Sequence, residues 1–370
     1  MAKRFPISVL WFTLFVLAAV PAFGVVEGIE TDDLFNQPGT GWWYGMNWDY
    51  VYETGDATSV AIGYFSLLTA RHYTLAQTLT INGDVFEVEG IHNLPRMDAN
   101  LPDLRVLKLR NNTESARPLP GFYQLYTGPF DNIRNKNFVV VGTGFSGTIE
   151  DRFSYDEDPS TGRLKRWGTN QFTQSLSFSY GSYTTDCIHM RFDRTETLHE
   201  CGYGEHDSGG GVFLKPWGED EWKLAGINLY RSEASGYQGD FGDIFAAKIP
   251  EYAGWLHDYL STDLLPGDAD LDGDVDAMDY LLVKSSLGTL SGASWEDGDF
   301  NNDGAVDRDD IHAVQVNFGY TSGGHPVMTP PPPGGYDGGS PEGTVPEPTA
   351  LSLLAAGALA MIRRRRRRAL

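Results

Sequence analysis

The sequence predicts an all-β body followed by a small helical module, and three observations carry that reading. Between residues 59 and 248 short β-rich runs recur at 60–68, 104–109, 138–141, 188–192, 222–229 and 244–248. Clusters of Gly, Asn and Asp separate them, which is the pattern of an all-β barrel or sandwich. After Pro266 the composition changes abruptly and an acidic segment repeats with a period of 31 residues, from Asp268 to Asp299. Finally, 370 residues exceed a usual single domain, and the aromatic, glycine-rich composition is that of a globular chain.

The amino terminus carries Lys3 and Arg4, an apolar run over 9–20, then Pro21-Ala22-Phe23-Gly24. That order reads as a secretory signal over 1–24 with small residues at the cleavage site. A transmembrane anchor is the alternative, although the run is short for a bilayer span. Export permits a disulfide, and Cys187 and Cys201 are the two cysteines available. A bridge between them would brace the segment leading to residue 208; two free buried thiols are the other reading. The balance of 28 basic against 50 acidic residues, a formal charge of -22, opposes binding to nucleic acid or to an anionic membrane.

Within the β body the run Glu205-His206-Asp207-Ser208-Gly209-Gly210-Gly211 sets one serine between an acid and a glycine turn. A serine hydroxyl is a poor nucleophile at neutral pH and needs a histidine base and a buried carboxylate to orient it. His72 ends Ser66-Leu67-Leu68-Thr69-Ala70-Arg71-His72, and Asp103 opens the alternating Asp103-Leu104-Arg105-Val106-Leu107-Lys108-Leu109. Taken in the order His72, Asp103, Ser208, these segments resemble the chymotrypsin-like (trypsin-like) serine protease family.

The resemblance spans roughly residues 25–260 and implies two six-stranded antiparallel β-barrels with a C-terminal helix. The segment 138–144 resembles the strand and turn that open the second barrel, with Thr143 where tryptophan is usual, and 242–260 resembles the last strand and closing helix. It implies a catalytic triad of His72, Asp103 and Ser208 acting on a peptide bond of a protein or peptide substrate. It implies an oxyanion hole from the backbone N–H groups of His206 and Ser208, with histidine standing where the family has glycine. It implies an activating salt bridge between Asp207 and the amine of Val25, freed by cleavage after Gly24. The substrate pocket would involve Gly202, Asn228 and Leu229, and the absence of an acid at Gly202 argues against a demand for Arg or Lys.

In the acidic repeat, Asp268, Asp270, Asp272, Asp274, Asp276 and Asp279 are matched by Asp299, Asn301, Asp303, Ala305, Asp307 and Asp310. Oxygen donors fall at positions 1, 3, 5, 9 and 12, position 7 offers a backbone carbonyl, and glycine (Gly273, Gly304) sits at position 6 where the chain turns. Each loop precedes a helix-like stretch, over 280–287 and 311–318. The pair resembles a type I dockerin over 266–320, which implies two Ca2+ sites and a cohesin-like partner; no cofactor is implied for catalysis. Residues 321–345 are rich in Pro and Gly and read as a tether. The stretch Val345-Pro346-Glu347-Pro348, an apolar segment over 349–362 and the arginines 363–368 resemble the PEP-CTERM sorting signal. That resemblance implies a transient membrane anchor over 346–370, removed by a sorting protease; a permanent tail anchor is the alternative. The expected layout is thus signal 1–24, protease domain 25–263, calcium module, tether and sorting signal, in an exported protein of the envelope or exterior. A catalytically impaired protein of the same fold, acting in calcium-dependent binding, is the competing function.

Overall fold

The computed structural model describes residues 26–27, 43, 45–95, 101–111, 117–130, 137–149, 155–158, 163–192, 197, 199–232 and 242–321. The expected signal peptide, Val25, nearly all of the tether and the sorting tail lie outside the described residues.

Among the described residues the named elements are all strands as far as residue 248. After β1 (Val26–Glu27), six strands form one antiparallel sheet: β2 (Val51–Thr54), β3 (Ala57–Ala61), β4 (Ser66–Ala70), β5 (Thr78–Ile81), β6 (Asp84–Asn93) and β7 (Leu104–Asn111). Their spatial order is β2-β3-β4-β7-β6-β5. A second antiparallel sheet follows. It begins with β8 (Asn137–Gly142), and the ribbon of β9 (Ser146–Ile149) and β10 (Tyr155–Asp158) comes next in the chain. The sheet continues with β11 (Arg166–Gln171), β12 (Gln174–Tyr180) and β13 (Tyr183–Arg191). Then β14 (Cys201–Gly202) pairs with β1, and β15 (Gly211–Leu214), β16 (Lys223–Arg231) and β17 (Asp243–Lys248) complete the order β11-β8-β15-β16-β17-β13-β12. The first sheet has the six strands expected, and the second has seven, because β12 adds to its edge. The closing helix α1 (Ala253–Leu260) follows β17 after one turn of 3-10 helix.

Strand β8 shows why the sheets are held together. Its alternate residues Phe138 and Val140 belong to the core of the second sheet with Ile188, Met190, Val212 and Leu214. Val139 and Val141 face the other way, into a core shared with Val60, Leu68 and Val106 of the first sheet and Leu256 of α1. A strand buried on both faces has no polar face to alternate, so it reads as a continuous apolar run. The crossing segment 117–130 ties the halves by backbone hydrogen bonds, from Tyr123 N to Ala61 O (3.0 Å) on one side and from Leu224 N to Gln124 O (2.9 Å) on the other.

The apolar run 60–68 is not one strand. Ile62 N donates to Ser66 O (2.9 Å), which closes a tight turn between β3 and β4. The helices of the acidic repeat, α2 (Ala277–Ser286) and α3 (Arg308–Asn317), begin three residues earlier than the apolar pattern indicates, because Asp276 and Asp307 cap them.

Candidate active site

Strands β4 and β7 pair antiparallel with Ala70 opposite Leu104. His72 leaves β4 two residues beyond that pair and Asp103 precedes β7 by one, so the register alone delivers both to the same end of the sheet. Asp103 is fully buried, and its carboxylate is held by three donors. Arg71 N donates to Oδ1 (2.9 Å), His72 Nδ1 meets Oδ2 at 2.5 Å, and the Tyr230 hydroxyl donates to the same Oδ2. Asp103 N donates in turn to Thr185 Oγ1 (2.9 Å), from the second sheet. A buried carboxylate with this many donors is a charge satisfied rather than stranded. The Tyr230 ring stacks on the imidazole at 5.6 Å and 25°; burial first, then the Asp103 charge, push its phenol pKa far up, so it stays a donor.

Ser208 comes from the second sheet, in the turn before β15. Thr58 N, on β3, donates to Ser208 O (2.9 Å), Gly209 N donates to Asn228 O (2.8 Å), and Asn228 N donates to Gly210 O (2.8 Å). Gly209 has φ +90, and a Cβ there would collide with the Thr58 carbonyl oxygen, so the turn requires glycine on two counts. The Ser208 hydroxyl donates to the Leu229 carbonyl oxygen at 3.0 Å.

His206 has φ +72, the left-handed conformation in which a Cβ is strained. Its neighbours hold it there: Nδ1 meets Asp56 O at 2.7 Å, Thr58 Oγ1 donates to His206 O (3.0 Å), and Phe145 meets the ring edge-on at 4.6 Å. The imidazole is engaged away from the serine. Asp207 is fully buried and accepts Gly144 N on Oδ1 and Gly204 N on Oδ2, both at 2.7 Å. Arg166, also fully buried, interacts with the Asp207 charge; burial lowers its own pKa to about 10, and Asp207 opposes that shift.

His72, Tyr73, Ser208, Gly204, Glu205, Leu229, Tyr230 and Arg231 line one cleft of about 230 Å³, completed by Phe178, Tyr180 and Tyr203. Of the three residues expected in the substrate pocket, only Leu229 lines this cleft. Gly202 is buried in β14 against Phe192, and Asn228 is buried with Nδ2 donating to Val141 O (3.2 Å), so both stand behind the wall. The expected Cys187–Cys201 disulfide is absent. Both are buried thiols outside any disulfide and face different cores, Cys187 among the residues shared by the two sheets and Cys201 in the core of the second sheet. Tyr73 escaped the sequence reading as a site residue, and Tyr230 escaped it as a partner of Asp103. Their one signal was position, since each stands beside a residue already singled out.

The acidic repeat folds as two loops with matching hydrogen bonds. Asp268 accepts Asp272 N (3.1 Å) and Gly273 N (2.9 Å), as Asp299 accepts Asp303 N (3.1 Å) and Gly304 N (2.7 Å). Asp279 accepts Ala269 N and Asp276 N (2.8 Å each), as Asp310 accepts Phe300 N and Asp307 N (2.9 Å each). The carboxylates of Asp268, Asp270 and Asp279 converge, as do those of Asp274, Asp276 and Asp279. Burial and repulsion among these acids push Asp268 up to about 7 and Asp270 up to about 6. A dense set of hard oxygen donors short of positive charge fits a calcium ion.

Residues 266–318 match the dockerin type I domain, and residues 344–368 match the PEP-CTERM protein-sorting motif. The chain carries a dockerin and an envelope-sorting signal. The dockerin is a calcium-binding module, and the sorting motif marks the protein as an exported one. No curated protein matches the sequence. Two crystal structures of an inactive mutant of the murine norovirus NS6 protease align with it at 14% and 13% identity. They cover 54% of this chain and 92% and 90% of theirs, each with a TM-score of 0.33.

Proposed function

We propose that the protein is an exported serine endopeptidase in which Ser208 attacks a peptide carbonyl. The observation that carries this reading is the Asp103–His72 pair, a fully buried carboxylate bonded to a partly exposed imidazole that shares one cleft with Ser208. On attack, His72 takes the hydroxyl proton and passes it to the leaving amine, while Asp103 fixes the tautomer and stabilises the imidazolium. The N–H groups of Ser208 and His206 receive the developing oxyanion. The cleft is walled by Tyr203, Leu229, Tyr230, Phe178 and Tyr180, which favours a bulky apolar side chain near the scissile bond.

The proposed layout keeps the protease domain at 25–263, the calcium module at 266–320, the tether at 321–345 and a transient anchor at 346–370. Two calcium ions would be held, one in each loop, with a cohesin-like protein as partner and a sorting protease acting on the tail. An activating role for the Val25 amine toward Asp207 is supported by β1, whose antiparallel register, Val26 opposite Gly202 and Glu27 opposite Cys201, turns its amino end toward the segment preceding Asp207. A second reading, a binding protein without activity, is favoured by the Ser208 proton pointing at Leu229 O. Incubation with a diverse peptide library, read by mass spectrometry, separates the two: cleavage that disappears in Ser208→Ala supports the endopeptidase, and no cleavage supports the binding protein.

A further inference from the structure

Resting on the reading of the first acidic loop as a calcium site, we propose that calcium bound there also stiffens the first sheet, through a clasp made by Tyr320. The internal repeat sets that residue apart. In the second loop Val306, at position 8, donates its N–H to Thr289 O (2.9 Å) and accepts Gly288 N (2.9 Å), from the segment that follows α2. In the first loop Val275, also at position 8, donates to Tyr320 O (3.0 Å) and accepts Gly319 N (2.8 Å), from the segment that follows α3. The two pairings are one motif, and at the period of 31 residues Thr289 is matched by Tyr320. Thr289 turns its hydroxyl back to Ser286 O (2.6 Å). Tyr320 reaches outward instead: its hydroxyl donates to Leu119 O (3.3 Å), and its ring meets that of Tyr64 at 5.9 Å.

Those two contacts land on one point of the first sheet, because Leu119 N donates in turn to Tyr64 O (2.8 Å). Tyr64 lies in the turn between β3 and β4 and packs against two cores at once. One is the core of the first sheet, with Leu67, Phe86 and Leu107, and the other is that of the acidic repeat, with Val275, Val283 and Val314. On the loop side Asp274 forms a bridge with Thr321, and Asp274 holds position 7, which offers its carbonyl to the ion. An ion that orders the loop therefore orders the pairing of 274–275 with 319–321, and with it the Tyr320 side chain. The turn so held joins β3, whose Thr58 N donates to Ser208 O (2.9 Å), to β4, which runs on to His72.

The test is hydrogen exchange read by mass spectrometry on the full chain, with calcium or with a chelator, in the wild type and in Tyr320→Thr, which copies the residue of the other repeat. The reporters are peptides spanning the Ile62 and Leu119 amides, whose bonds to Ser66 O and Tyr64 O hold the turn. In the wild type, calcium should slow exchange in residues 268–279 and also at these amides, there by about tenfold, the weight of roughly one hydrogen bond and one aromatic contact. In Tyr320→Thr the loop should keep its response and the two amides should lose most of theirs. An equal response of the amides in the variant, or none in the wild type while the loop responds, overturns the clasp and leaves the calcium site standing. No response of the loop overturns both. In unaltered protein the loop and the turn must also share one calcium midpoint; two separate midpoints contradict the clasp whether or not the variant folds.

Discussion

Asp103 concentrates the chemistry of the site, since one buried carboxylate bonds the His72 imidazole, the Tyr230 phenol and a backbone N–H. Replacing it with asparagine leaves the shape and removes the charge, and peptide-hydrolysis kinetics of Asp103→Asn should show kcat lower by about 10⁴. Tyr230→Phe keeps the ring on His72 but deletes the hydroxyl. A hydrogen bond to a charged group contributes about 1.5–3 kcal/mol, so kcat/KM should fall by roughly ten- to a hundredfold, chiefly in kcat. The three residues of the proposed triad were visible in the sequence because each sits in a short run with its own signature. The part Tyr230 plays was not, because it depends on a ring and a hydroxyl meeting partners that only the fold brings near. The cysteines misled for a related reason: closeness in sequence says nothing about which core a thiol faces.

Elements were legible where burial is one-sided or complete and obscure where strands face water. Strands β7, β8, β16 and β17 stood out as apolar runs, whereas β12, reading Gln-Ser-Leu-Ser-Phe-Ser-Tyr, is largely exposed and gave no such signal. The exposed strand nevertheless matters, because Phe178 and Tyr180 at its end wall the cleft. The turn before β15 is the element on which the nucleophile depends most. Gly209→Ala would combine a left-handed backbone with a clash against Thr58 O, and should lower stability by on the order of 3 kcal/mol in urea unfolding, with loss of activity. In the acidic repeat the glycine at position 6 and the acids at positions 1 and 12 recur with the same bonds in both loops. The capping acids at position 9 explain why the helices start before their apolar residues do.

Across the whole molecule, the dockerin is seated on the first sheet rather than hung from it. The Tyr320 hydroxyl donates to Leu119 O (3.3 Å) and the Tyr64 ring, in the turn between β3 and β4, meets that of Tyr320 at 5.9 Å, while Asp263, just ahead of the module, accepts Phe65 N (3.1 Å) and pairs with Lys108. The composition break after Pro266 marked a new module, but nothing in the sequence indicated this seat, which is built from single residues far apart along the chain. Calcium bound only by the folded loops should stabilise them by about 2.7 kcal/mol at a hundred times its Kd. A chelator should therefore lower the thermal midpoint of residues 266–320 and raise their hydrogen exchange, whereas exchange unchanged by calcium would contradict the ligand assignment.

The central claim, that the Asp103–His72 pair serves Ser208 as a nucleophile, is tested most directly by fluorophosphonate labelling followed by peptide mapping. The account predicts one adduct, on Ser208, that disappears in His72→Ala. An unlabelled Ser208 in folded wild-type protein, or labelling indifferent to His72, would contradict it.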